Sequence, residues 1–208
     1  MKFIMFVEGY TEDKALPKFL QRWLDSRLPQ RVGIKTIRFE GWSELVKDAP
    51  QKAKLHLCGP KGGDIIAVIS LLDLYGPTFD YPKDKTSPDE KYDWAKQNIE
   101  KQVGQDRFFQ FFAVHEVEAW LLSDPRLFPL EIQSAFPSKI KLPETVNCNE
   151  PPAKLLERLY PLHIRRKYKK VTNGKDLFDK LDPNIAYDKC PNLKAMLDKM
   201  LELAKAAV

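Results

Sequence analysis

An α/β fold, a mostly parallel sheet flanked by helices, is predicted by three short apolar runs that each end in acidic residues and by the helical patterns that separate them. The runs are Met1–Val7 before Glu8, Ile65–Leu72 before Asp73, and Phe108–Val114 before His115, Glu116 and Glu118. Strands covered on both faces, as in a parallel sheet, read as continuous apolar runs instead of alternating ones. Beyond the third run the chain turns to prolines and helical pieces. The expected organisation is therefore an α/β domain over residues 1–125 and a mainly helical extension over 126–208 packed against it.

Taken in order, the first run stops at Glu8, Gly9 turns the chain, and a helical pattern begins with Glu12 and Asp13 as acids in its first turn. Leu16, Phe19, Leu20, Trp23, Leu24 and Leu28 recur at spacings of three and four, with Lys18, Arg22 and Asp25 elsewhere around the helix. Pro29 closes it. Ile34 to Phe39 alternates apolar and polar residues, as expected of a strand near the sheet edge. Gly41 to Leu57 is helical in pattern and is expected to break at Pro50. Gly59-Pro60-Lys61-Gly62-Gly63 precedes a strand and lacks phosphate-loop spacing, so it reads as a turn.

The Ile65–Leu72 run is the central strand, and Asp73 ends it before Leu74-Tyr75-Gly76-Pro77. Residues 78–89, rich in Pro, Asp and Lys, read as a loop long enough to form a mobile flap, and a polar helix follows over 90–103. In the C-terminal part the clearest helices are Ala153 to Tyr160 and Asn192 to Ala207, the second with Leu193, Met196, Leu197, Met200, Leu201 and Leu203 along one stripe.

Composition sets the class. With 43% hydrophobic residues, four Trp and twelve Phe, the chain has ample material for a packed core and reads as a globular protein. Thirty-four Lys and Arg against 29 Asp and Glu give a net charge of +5, which permits a phosphate-rich partner without demanding one. No apolar stretch approaches the length of a membrane span, and Glu8 interrupts the first run too early for a signal-peptide core, so a cytoplasmic protein is expected. Cys58, Cys148 and Cys190 are scattered and read as reduced thiols. No dinucleotide fingerprint, serine triad or zinc motif is present.

In a parallel sheet the carboxyl ends of the strands form the edge where ligands bind. Glu8 and Asp73 would meet there, and paired carboxylates suit a hard divalent cation such as Mg²⁺ (or Mn²⁺). The densest positive charge is His163-Ile164-Arg165-Arg166-Lys167-Tyr168-Lys169-Lys170. With Tyr168 interleaved, Arg165, Arg166, Lys167, Lys169 and Lys170 could follow a nucleic-acid backbone while the ring stacks on a base, and a solvated face is the equal alternative. Lys170 and Lys175 flank Asn173-Gly174, a turn signal, which would offer a lysine to a phosphate near the same edge.

Phe-Val-Glu-Gly-x-Thr-Glu, Leu-Asp-Leu-Tyr-Gly and His-Glu-x-Glu-Ala-Trp-Leu-Leu-Ser-Asp, in this order, resemble a bacterial family called domain of unknown function 4276. That family is similar to the Toprim fold of topoisomerases, primases and OLD-type nucleases. The resemblance implies a Toprim-like site in which Glu8 and Asp73 bind Mg²⁺ for phosphodiester chemistry. Tyr75 stands where a second Asp belongs, and a phenol cannot take over a carboxylate's role at neutral pH. Glu116 and Glu118 are the best substitutes, with Asp80 a weaker one; His115 or Glu8 would serve as general acid or base. His115 capping the next helix, and Glu118 as an ordinary first-turn helix acid, are the structural alternatives. The resemblance further implies a nuclease acting on DNA or RNA, an ABC-type ATPase partner and a role in phage defence. The rival expectation is a non-catalytic binding module with a degraded site. Whether the chain forms a homodimer is left open.

Overall fold

The computed structural model describes residues 1–74, 77–145 and 150–207; the expectations for Tyr75, Gly76 and Cys148 fall outside them. Four parallel strands, β1 (Lys2–Val7), β2 (Gly33–Arg38), β3 (Ile65–Asp73) and β4 (Phe108–Ala113), form one sheet in the order β2-β1-β3-β4. The crossovers are α1 (Tyr10–Asp25), α2 (Trp42–Cys58) and α3 (Pro88–Val103). After β4 come two short helices, α4 (Glu118–Leu121) and α5 (Leu130–Gln133), and then α6 (Pro152–Ile164), α7 (Lys170–Lys180), α8 (Pro183–Lys189) and α9 (Pro191–Ala207). The α/β architecture with a mainly helical C-terminal part is thus as the sequence predicts, and β2 lies at an edge as its alternation suggests.

Side chains of successive strand residues point to opposite faces, so the unbroken run of β1 serves two cores. Phe3, Met5 and Val7 join α1 and the C-terminal helices through Phe19, Trp120, Leu156, Phe178 and Leu197. Ile4 and Phe6 face α2 and α3 with Leu45, Ala49, Ile99 and Phe112. Leu16, Phe19, Leu20, Trp23 and Leu24 of α1 are each at most 1% exposed. Each such burial contributes about 1.5–3 kcal/mol, which holds the helix against the sheet although Gly9 gives it no side-chain cap.

Two expectations about these elements are corrected. Pro50 does not break α2: Leu45, Ala49, Ala53 and Leu57 on both sides of it are buried on the sheet, and that packing outweighs a proline cost of about 3 kcal/mol. Asn173-Gly174 is not a turn but lies inside α7. Gly174 is small because α1 passes close by: a Cβ there would stand 3.1 Å from the Thr11 methyl. In the loop after β3, the Phe79 ring lies 5.6 Å from that of Trp42 and the Tyr81 ring 5.4 Å from that of Trp94.

Arg22, read from sequence as part of the outer face of α1, instead clamps the end of α7. Its guanidinium donates to the carbonyls of Phe178 at 2.6 Å, Asp179 at 2.8 Å and Leu181 at 2.9 Å. Those carbonyls have no partner within their own helix, and a charged donor satisfies them strongly. With the Phe19 and Phe178 rings 5.4 Å apart, the clamp fixes α7 alongside α1 and brings the first residue of α7 to the first turn of α1. Among the described residues, no helix is long and apolar enough to cross a membrane. Cys58 and Cys190 are free thiols.

Candidate active site

Strand register decides which residues meet. Val7 pairs with Arg38 on one side and with Leu71 on the other, and Asp73 pairs with Ala113. The carboxyl ends of β1, β3 and β4 therefore deliver Glu8, Asp73 and the segment His115–Glu118 to one edge. Into it reach Glu12, from the first turn of α1, and Lys170, which opens α7.

Lys170 is the centre of this group. Its Nζ lies 3.2 Å from Glu118 Oε2 and 3.6 Å from Glu116 Oε1. The other oxygen of Glu116 accepts the Ala153 N–H at the start of α6 at 2.9 Å. Glu118 is completely buried, and among the described residues its Oε1 has no hydrogen-bond partner. A cation at the first position of a helix opposes the helix dipole, so the carboxylates, not α7 itself, hold Lys170 in place. Glu12 is 4% exposed. It folds back over Gly9, where any Cβ would overlap its Oε2. Glycine at that position is what allows Glu12 to turn towards the edge.

The electrostatics follow from crowding several acids around one cation away from water. Burial pushes the Glu118 carboxyl up to about 7; Lys170 pulls it down, and Glu12 and Glu116 push it further up. Asp73 is raised well above the usual range by burial and by the Glu12, Glu8 and Glu118 charges, with Lys170 opposing them. Glu12 is raised by burial, against the pull of its own backbone N–H and of Lys170. For Glu8, burial and the Glu12 charge outweigh the backbone N–H groups of Asp73 and Trp42, and its carboxyl also rises. Burial alone would lower Lys170, but Glu118, Asp73, Glu116 and Glu12 together raise it, and it stays charged. Raised carboxyls grouped beside a permanent cation are typical of sites that move protons or bind charge.

The acids expected at the edge fall into three situations. Glu8 and Asp73 come from the ends of adjacent strands, and the Glu8 charge adds to the rise of the Asp73 carboxyl. Glu116 and Glu118 join them through Lys170. Asp80 is exposed on the loop after β3. His115 lines a cavity of about 450 Å³ with Leu74, Tyr92, Glu144 and Asn192. Its φ of 70° lies in the left-handed region, uncommon for a residue with a Cβ, and this bend at the end of β4 sends the following glutamates towards Lys170. Burial lowers its imidazole from the ordinary value.

Two readings of the basic segment are corrected. Tyr168 is 6% exposed, with its ring 5.2 Å from that of Tyr160, so it is a core residue and not a stacking platform. Lys170 points into the acidic group and not along an outer surface. Arg165, Arg166, Lys167 and Lys169 are exposed, as a backbone-tracking strip requires. Lys175 pairs with Asp179 at 3.1 Å on the outside of α7. Glu12 was not singled out by sequence reasoning, because an acid in the first turn of a helix has an ordinary explanation in the helix dipole.

Mg²⁺ is the ion that the resemblance implies. Among the described residues no three His, Cys, Asp or Glu side chains are grouped so as to hold a metal. The edge nevertheless offers carboxylate oxygens, the donor type that a hard cation takes. Mg²⁺ commonly keeps most of its waters and uses only one or two protein carboxylates, so Glu8 and Asp73 would suffice to hold it.

A four-stranded parallel sheet with an acidic, lysine-centred group at its carboxyl edge thus defines the class of protein. The chain belongs to the family described as Domain of unknown function (DUF4276), whose model matches residues 7–201. It is similar to the solved C-terminal region of the Burkholderia pseudomallei OLD protein, with 20% identity and a TM-score of 0.49 over 99% of this chain and 98% of that one. It is similar also to the C-terminal region of the Xanthomonas campestris pv. campestris OLD protein, with 18% identity and a TM-score of 0.47 over 99% and 96%. No curated protein matches the chain.

Proposed function

We propose that the protein is a Mg²⁺-dependent nuclease, or another phosphodiester-processing enzyme, with a Toprim-like carboxylate centre. The observation that carries the reading is the convergence of Glu8, Glu12, Asp73, Glu116 and Glu118 on one sheet edge around Lys170, more buried acids than the single lysine can balance. Glu8 and Asp73 would hold the ion, which when bound would neutralise phosphoryl charge and favour an ionised water. Lys170 would pair with a phosphate oxygen, and Glu116, itself held by the Ala153 N–H, would orient it. Glu118, with its carboxyl near 7, can hold or release a proton at working pH, the property that general acid–base chemistry needs. The exposed strip of Arg165, Arg166, Lys167 and Lys169 supplies the salt-sensitive part of nucleic-acid binding.

The test is cleavage of single- and double-stranded DNA and RNA with Mg²⁺ or Mn²⁺ by the wild-type protein and by Glu8→Ala and Asp73→Ala. Cleavage lost in both variants supports the reading, and unchanged cleavage by either overturns it. The ABC-type ATPase partner and a place in phage defence belong to the same proposal, and failure of the two proteins to co-purify after co-expression would count against the partner.

A second reading, a binding module without catalysis, is favoured by one observation. As they stand, the described acids close around Lys170 and not around an ion site. Under that reading nucleic acid binds without being cut, whatever metal is added.

A further inference from the structure

Beside the carboxylates, on the β2 side, an aromatic ring stands exposed where the core does not use it. Tyr10, the first residue of α1, is 54% exposed. The Arg38 guanidinium lies 4.1 Å from the centre of its ring, and an Arg38 nitrogen is 3.4 Å from its hydroxyl. Arg38 ends β2 directly opposite Val7, which puts it on the strand adjacent to Glu8. Tyr10 is two residues from Glu8, so their Cα atoms are at most about 7 Å apart. With one face of the ring under the guanidinium, an exposure of this size leaves the rest of the ring to solvent. The other partner of Arg38 is Glu40, itself 77% exposed, at 2.7 Å. Such a surface pair contributes little in water and yields readily to a phosphate.

We propose that Tyr10 and Arg38 form a stacking subsite for an unpaired nucleotide next to the phosphate held at the Glu8–Asp73 edge. The inference rests on the phosphodiester reading above and adds a substrate preference to it: a single strand, or a duplex frayed at the site. A planar ring backed by a guanidinium is suited to any base, since every base has a π face, whereas paired and stacked bases present no free face to Tyr10. Arg38 has a second task, to meet the phosphate of the stacked nucleotide as it leaves Glu40. On the β2 side of Glu8, Arg38 is the cation that draws the strand across the Tyr10 ring.

The experiment measures binding of a short fluorescein-labelled oligodeoxythymidine, and of the same strand annealed to its complement, by fluorescence anisotropy with Ca²⁺ as the cation. Wild type, Tyr10→Phe, Tyr10→Leu and Tyr10→Ala are compared, with thermal melts confirming the fold of this exposed position. The expected result is single-strand affinity kept by the Phe variant and reduced roughly tenfold in the Leu and Ala variants, with duplex affinity unchanged. Equal single-strand affinity in wild type and Tyr10→Ala would overturn the stacking subsite and leave the phosphodiester reading standing. A wild-type protein that binds neither probe would overturn both.

Discussion

Replacing Glu118 by Gln should stabilise the protein above neutral pH. Below about pH 4.5 this carboxyl is protonated in the folded and the unfolded chain alike. Between there and about 7 the folded chain keeps a proton that the unfolded chain releases, so stability falls as the pH rises through this window. At about 1.4 kcal/mol for each pH unit, the loss is complete by pH 8 and amounts to about 3 kcal/mol. Glu118 is fully buried, so solvent screening takes little from this figure. Glutamine has nearly the same shape and cannot ionise; it resembles the protonated acid at every pH. The variant should therefore match the wild type near pH 4.5 and exceed it at pH 8, by roughly 6–12 °C in melting temperature for a chain of this size. Calorimetric melts across the range provide the assay. A variant that melts at or below the wild-type temperature at pH 8, with the same dependence on pH, would show that Glu118 does not carry an unfavourable buried charge.

Lys170→Met should act in the opposite direction, costing about 3–5 kcal/mol at pH 8, where Glu118 would be left as an uncompensated buried charge. The loss should be smaller at pH 5 and largely recovered in the Lys170→Met, Glu118→Gln double variant, as urea unfolding of the four proteins would show. Gly9→Ala should leave the melting temperature within a few degrees of wild type, since its φ of −120° is open to any residue. It should nevertheless displace Glu12 and reduce cleavage at least as much as Glu12→Gln does. Neutralising Arg165, Arg166 and Lys167 together should lower nucleic-acid affinity and flatten its dependence on salt by roughly one unit of slope per lost phosphate contact, which a salt titration of binding would measure.

What the sequence makes legible here is what depends on one dominant force. β1, β3 and β4 are continuous apolar runs because both sheet faces are covered, and no competing pattern obscures them. Their parallel pairing then makes it inevitable that Glu8 and Asp73 share an edge. The features that were hidden depend on tertiary contacts. Glu12 looks like any acid that complements a helix dipole, and only the fold over Gly9 turns it inward. Tyr168 and Lys170 sit in a basic stretch that reads as surface, yet the chain between α6 and α7 dips so that one joins the core and the other enters the acidic group. Gly174 mimics a turn because the same small residue that frees a backbone also permits two helices to approach. Arg22 has the periodicity of a solvent face, and its carbonyl partners lie more than 150 residues away.

The most direct test of the carboxylate centre is a calorimetric Mn²⁺ titration of the wild-type protein, Glu8→Gln and Asp73→Asn, each at pH 6 and pH 8. Because Glu8, Glu12 and Asp73 all have raised carboxyls, protons compete with the ion, and affinity should strengthen as the pH rises. The account predicts saturable binding in the wild type, tighter at pH 8 than at pH 6, and lost in both variants. No binding by the wild type at millimolar Mn²⁺, or binding by Asp73→Asn equal to that of the wild type, would contradict it.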